Sequence, residues 1–263
     1  MKKGTRILLT GGGTAGHVNP ALAIGAALAE PGGETLFVGV RGRAEEQVVP
    51  REGIPIRFVR ASGFPGARPS LALARFLLDL SIGTLQAAAI LLSFRPDVIV
   101  GTGGFASAPV IFAATLLKKL GLSKARVFVH EQNAVPGKLN RLVGRFAEKV
   151  FVTFPETLSL FPGNGALTGY PVRRRLGHVT PEEARSRLDV PVPEGRTVVF
   201  AFGGSQGSRS LNRSLVDALG ELLPHADRLF VVHGTGLFKG TGYDAHADTE
   251  ARLAARYPAD VRE

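Results

Sequence analysis

The chain has 263 residues, 44% of them hydrophobic and 21% charged, with 32 Lys and Arg against 22 Asp and Glu and a formal net charge of +10. That balance describes a folded globular protein and excludes a disordered one, while the positive surplus suits an anionic partner: nucleic acid, a phosphorylated metabolite or an acidic membrane surface. The chain contains no cysteine, which excludes a disulfide framework, thiolate metal sites, iron–sulfur clusters and a cysteine nucleophile.

The apolar run that begins at Ile7 is too short for a signal peptide, so folding is expected to begin almost at the N-terminus, in the cytoplasm. Strand-length apolar runs then alternate with helical patterns. A strand over 6–10 precedes a helix near 21–29, a strand over 35–40 a helix over 44–52, and a strand over 56–59 a long helix over 71–92. Strands over 98–100 and 127–130 lead into helices over 110–120 and 139–147, and strands over 150–152 and 166–168 close the series. Such alternation predicts a doubly wound α/β domain over 1–168, a parallel sheet with helices on both faces. The uncharged run 98–117 has the length of a membrane span, but its glycines, Ser107 and Pro109 make it a buried strand–loop–helix unit.

Residues 169–195 read as a linker, with Pro171, Pro181, Pro191, Pro193 and the basic run Arg173-Arg174-Arg175. The rhythm restarts with a strand over 197–202, a helix over 211–223 and a strand over 229–233. Residues 196–263 are therefore expected to open a second domain of the same kind, incomplete because two such domains need about 300 residues. Residues 234–242 read as a mobile glycine-rich loop and 241–263 as a hydrophilic tail.

The chemistry lies in the loops after the strands. Gly11-Gly12-Gly13-Thr14-Ala15-Gly16-His17 lets the backbone turn sharply and approach an anion at a helix N-terminus. Gly11, Gly13 and Gly16 satisfy the dinucleotide spacing GxGxxG, but Arg41, Gly42 and Arg43 stand where an acid should follow the second strand. An arginine there keeps an NADP-dependent oxidoreductase open. His17 closes this loop at the sheet edge where open α/β folds bind ligands, and a neutral imidazole there is suited to take a proton from a substrate hydroxyl. Gly101-Thr102-Gly103-Gly104-Phe105 follows the fourth strand with room for a bulky ligand, and His130-Glu131-Gln132-Asn133 offers polar groups for sugar hydroxyls. Gly203-Gly204-Ser205-Gln206-Gly207 forms a second anion cradle. No His, Asp or Glu cluster has ligand spacing, so no metal is expected, and His130, His178, His225, His233 and His246 read as structural or surface residues.

In this order GGGTAGHVNPALA, GTGGFASAP, HEQNAVPGKLNR, GYPVR and FGGSQGSRSLN resemble the MurG family of glycosyltransferases, from Ile7 to about Leu215. The resemblance implies two Rossmann-like domains of GT-B type facing a cleft, with a lipid acceptor on the first and UDP-N-acetylglucosamine mainly on the second. It implies an inverting transfer of N-acetylglucosamine onto the 4-hydroxyl of an undecaprenyl-pyrophosphoryl muramyl-pentapeptide, without metal or other cofactor. His17 then matches the general base, and Glu131, in the same catalytic constellation, is expected to help order the site. Thr14, Ala15 and Gly16 match the first substrate loop, which Gly103 and Gly104 adjoin. Asn133 and Arg173 match donor contacts, and Gly204, Ser205 and Gln206 match the loop over the diphosphate. A polyprenyl acceptor implies peripheral docking on the cytoplasmic face of the bacterial inner membrane. The candidate contacts are Leu73, Phe76, Leu77, Leu80 and Leu117 with Lys118 and Lys119, apolar residues rimmed by cations. A fragment that binds the lipid acceptor without transferring sugar stays open beside the oxidoreductase. Nucleic acid is not expected as a partner, because no aromatic platform or reading motif accompanies the charge.

Overall fold

A computed structural model describes residues 4–173, 179–187, 192–240 and 242–257. Arg174, Arg175, His178 and Pro191, all singled out above, lie outside the described residues. The chain divides into two compact units, Met1–His178 and Val179–Glu263.

The first unit is built on seven parallel strands: β1 (Arg6–Thr10), β2 (Glu34–Gly39), β3 (Ile56–Phe58), β4 (Val98–Gly101), β5 (Arg126–Glu131), β6 (Lys149–Val152) and β7 (Gly165–Leu167). Their spatial order is β3-β2-β1-β4-β5-β6-β7. Alternation along each strand sends neighbouring residues to opposite faces. Ile7, Leu9, Phe37 and Val100 pack with Val18, Leu22 and Val49 from α1 (Ala15–Leu28) and α2 (Ala44–Arg51). Leu8, Val38, Ile99 and Val127 pack with Ala87, Leu91, Ile111 and Leu117 from α3 (Leu71–Phe94) and α4 (Ser107–Lys119). Two covered faces explain why these strands read as nearly continuous apolar runs.

The chain winds outward from β1 to β3, and α3 then returns it to β4 on the other side of β1. That reversal between β1 and β4 is the switch point, where the loops after the two strands must diverge and leave a crevice. The run 98–117 is indeed β4, a loop and α4. Both α1 and α4 start earlier than expected. Pro109 marked no boundary because it sits in the first turn of α4, where its missing N–H would have had no helical partner. Pro20 is accommodated inside α1. Helix α5 (Lys138–Val143) continues as a 3-10 turn, Gly144–Phe146.

Helix α3 is capped by Ser70, which accepts from Leu73 N–H at 3.2 Å, and ends at Arg95 in the left-handed region before Pro96. Among the described residues it is the one helix long and apolar enough to cross a membrane. Here it lies on α4 through the stripe Asp79, Gly83, Ala87 and Leu91, with Asp79 paired to Arg60 at 3.2 Å. Leu71, Leu78, Leu85 and Leu92, one every seven residues, stay exposed.

In the second unit β8 (Thr197–Phe202) pairs in parallel with β9 (Leu229–Gly234), flanked by α7 (Arg209–Leu222). Four elements fall where none was expected. Helix α6 (Pro181–Ser186) lies in the supposed linker, started by a capping box between Thr180 and Glu183. In the supposed mobile loop β10 (Lys239–Gly240) pairs antiparallel with β11 (Tyr243–Asp244), which lies in the supposed tail. The supposed tail forms α8 (Ala245–Arg256), whose Asp248 is held by Arg213 at 2.6 Å.

Candidate active site

The crevice beside β1 is stitched by backbone bonds: Gly12 N–H donates to the Gly103 carbonyl at 3.3 Å and Thr102 N–H to the Thr10 carbonyl at 2.9 Å. Approach is so close at Gly104, where φ is 73°, that a Cβ would lie 2.0 Å from the Gly12 carbonyl oxygen. Only glycine fits.

Because α1 begins at Ala15, Ala15, Gly16 and His17 belong to its first turn and Thr14 is its N-cap. This rotates His17 toward β4. Its Nδ1 lies 3.0 Å from the Thr102 carbonyl and 3.3 Å from Oε1 of Gln132. Both partners only accept, so Nδ1 carries the proton and Nε2 keeps its lone pair. The ring is half-buried and lines a cavity of about 260 Å³. Phe64, Phe76, Leu80 and Phe105 supply its apolar wall, and Lys138, Asn140 and Glu131 its polar one. Phe64 and Phe76 meet edge to face at 5.4 Å. The Asn140 Oδ1 is buried without a hydrogen-bond partner.

Glu131 stands where it orders the loop beside His17. Its Oε1 accepts from Asn133 N–H and Nδ2 at 2.9 and 3.0 Å, and its Oε2 from Gly137 N–H and Asn140 Nδ2 at 3.1 and 2.9 Å. Those four bonds fill the acceptor sites of a carboxylate, so its oxygens pin the loop 132–140 and leave none for a substrate proton.

Glu45 was not singled out from the sequence. Fully buried at the start of α2, it accepts from Gly13 N–H at 3.1 Å and Val40 N–H at 3.0 Å, with its side chain against Gly12 and Gly39. A carboxylate thus already takes one amide that a pyrophosphate would need, and its charge under the loop opposes a second anion. This corrects the expectation that the first glycine loop is an anion cradle. Arg41 stacks on Phe58 at 4.7 Å, and with Glu45 in place the dinucleotide reading loses both its supports.

The remaining candidates separate. Gly103 and Gly104 line the crevice beside His17, and Asn133 is exposed. Arg173 is not free: its guanidinium donates to Glu52 at 2.9 Å and Asn19 at 2.8 Å. Gly204, Ser205 and Gln206 lie exposed in the second unit between β8 and α7. Of the proposed membrane contacts, Leu77 is exposed, Leu73 and Phe76 are half-buried, and Leu80 lines the cavity. Leu117 is corrected: at 4% exposure it belongs to the core, because it is the neighbouring Leu116, at 49%, that points outward. Lys119 is exposed, whereas Lys118 and Arg126 both pair with Glu148, and Arg126 above all holds that carboxyl below its usual range. Among the described residues no group of three or more His, Asp or Glu is placed to hold a metal ion.

A doubly wound parallel sheet joined in sequence to a second α/β unit is the fold class of the GT-B glycosyltransferases. Residues 7–152 match the N-terminal domain of glycosyltransferase family 28, and the chain belongs to that family. It is 37% identical over 254 residues to a UDP-N-acetylglucosamine–N-acetylmuramyl-(pentapeptide) pyrophosphoryl-undecaprenol N-acetylglucosamine transferase of Desulforudis audaxviator (strain MP104C), covering 92% of this chain and 66% of that protein. It is 38% identical over 261 residues to the protein so named in Anaeromyxobacter sp. (strain Fw109-5), covering 98% and 64%. The crystal structure of Acinetobacter baumannii MurG is similar, with a TM-score of 0.62 and 25% identity over 95% of this chain and 64% of that one. The chain thus spans less than two thirds of the length of these relatives.

Proposed function

We propose that the chain takes part in the inverting transfer of N-acetylglucosamine from UDP-N-acetylglucosamine to the muramyl 4-hydroxyl of an undecaprenyl-pyrophosphoryl muramyl-pentapeptide, with His17 as general base. One observation carries this reading: Nδ1 of His17 is tied to the Thr102 carbonyl, which leaves the basic Nε2 on a ring that lines the cavity. Nε2 takes the hydroxyl proton as the oxygen attacks the anomeric carbon, the bond from that carbon to the UDP oxygen breaks, and UDP departs with the electron pair. The exposed turn Gly204-Ser205-Gln206 is assigned to the diphosphate, and the buried Asn140 Oδ1 to an N–H or O–H of the acceptor sugar.

The lipid end calls for a bilayer. The exposed row Leu71, Leu78, Leu85 and Leu92, with Leu77 and Leu116 and the cations Arg68, Arg75 and Lys119, suits an anionic surface at the cytoplasmic side of the inner membrane. The test is transfer of labelled N-acetylglucosamine to a short-chain acceptor, by this chain and by His17→Ala. A loss of about 10²- to 10⁴-fold is expected with the fold intact. An unchanged rate removes His17 from the role. Because the chain spans only 64–66% of its relatives, acceptor binding without any turnover would favour a lipid-acceptor-binding fragment instead.

A further inference from the structure

Behind His17 lies a buried chain of polar groups that the proposed reaction does not use. Nε2 of His130 is 3.0 Å from the Gly169 carbonyl. A carbonyl only accepts, so that nitrogen carries the proton and Nδ1 of His130 is left as an acceptor. The Gln132 amide nitrogen meets that Nδ1 at 3.4 Å and the His130 carbonyl at 3.0 Å, so both of its hydrogens are directed at His130. With the nitrogen so placed, Gln132 Oε1 faces Nδ1 of His17 at 3.3 Å. Turning the amide over would set its oxygen against the His130 carbonyl and its N–H₂ against the N–H of His17. Each orientation in the chain is therefore determined by the next.

We infer that His130 and Gln132 are positioning residues for His17: His130, anchored on the Gly169 carbonyl, fixes the Gln132 amide so that Oε1 receives the Nδ1–H of His17. The inference rests on the reading of His17 as the base. Burial supports it, since His130 is 3% exposed and Gln132 7%. Desolvation also holds His130 below its ordinary pKa, the direction that keeps it neutral and able to accept from Gln132. The anchor is informative because Gly169 opens the segment that leaves the sheet, and four residues on Arg173 grips Asn19, two residues past His17 on α1. Residues 169–173 thus hold the base at its ring, through His130 and Gln132, and at its helix.

The test reads the ring directly. The chain labelled with ¹⁵N-histidine is examined at alkaline pH by long-range ring correlation, with His17 assigned by the signal missing from His17→Gln. The expected wild-type pattern is protonated Nδ1 and bare Nε2. In Gln132→Met, which keeps the length but removes donor and acceptor, the Nδ1–H share of His17 should fall. The loss of orientation should lower kcat about 10- to 100-fold with little change in KM. Gln132→Glu, which still accepts from Nδ1, should keep the Nδ1–H tautomer and serves where the methionine variant does not fold. A wild-type His17 protonated at Nε2 overturns the inference. So does an unchanged His17 ring in Gln132→Met, whatever happens to the rate. A shifted tautomer with undiminished transfer would uphold the positioning and remove His17 from the role of base.

Discussion

Gly104→Ala tests the stitched crevice most severely. At φ 73° an alanine pays about 1–2 kcal/mol for the left-handed region alone. Its Cβ would also stand 2.0 Å from the Gly12 carbonyl oxygen, about 1.4 Å inside ordinary contact, and the atom it meets is backbone that cannot rotate away. The two loops must part by that distance, which breaks the bond from Gly12 N–H to the Gly103 carbonyl at about 1 kcal/mol. A total destabilisation of roughly 2–3 kcal/mol follows. Thr102, two residues away, would carry its carbonyl off Nδ1 of His17, and with His17 as the proposed base a shift of about 1 Å costs on the order of 10²-fold in rate. Urea unfolding followed by circular dichroism measures the first effect, and acceptor glycosylation the second. Gly121→Ala is the control: φ is 71° but no atom lies within 4 Å of its Cβ, so strain without collision should cost about 1–2 kcal/mol. If the two substitutions prove equally mild, the close approach of the loops is wrong.

Leu117→Ala should destabilise the first unit by about 2–5 kcal/mol, while Leu116→Ala stays within about 0.5 kcal/mol, and equal unfolding midpoints would contradict their opposite burial. On liposomes the order reverses in kind: Leu78→Glu combined with Leu85→Glu should abolish salt-sensitive sedimentation with anionic vesicles while leaving the unfolding midpoint unchanged, and undiminished sedimentation would exclude that face of α3. His130 gives a pH signature. Burial lowers its pKa from the ordinary 6.5, so between that value and its lower native one the unfolded chain binds more protons. Its contribution is complete above about pH 6.5 and is lost as the pH falls through the native pKa. Melting temperatures between pH 7.5 and 5 should fall more steeply for wild type than for His130→Gln, and parallel curves would show that the ring is not desolvated.

Much of the first unit was legible because a parallel sheet covered on both faces needs strands that are apolar throughout, and such runs stand out between helical patterns in any reading. The glycine loops and His17 were legible for a related reason: sharp turns and close backbone approach leave few alternatives to glycine. Some signals were present and passed over. The Thr180-Pro181-Glu182-Glu183 run is a capping box with proline in the first turn, hidden by its place in a proline-rich stretch, and α8 was lost behind its polar composition. Other facts had no local signal. That Glu131 is saturated by four donors, that Glu45 fills the floor of the loop, that Arg173 turns back to Asn19 and Glu52, and that Leu117 faces the core while Leu116 faces out all depend on which groups the fold brings within 3 Å, or on a helix phase set by packing. Sequence by itself determined the strand–helix alternation, the switch-point loops and the residue type able to move a proton. Tertiary structure alone decided which nitrogen of His17 keeps its lone pair, because a tautomer is chosen by its hydrogen-bond partners, and those partners, Thr102 and Gln132, stand 85 and 115 residues along the chain.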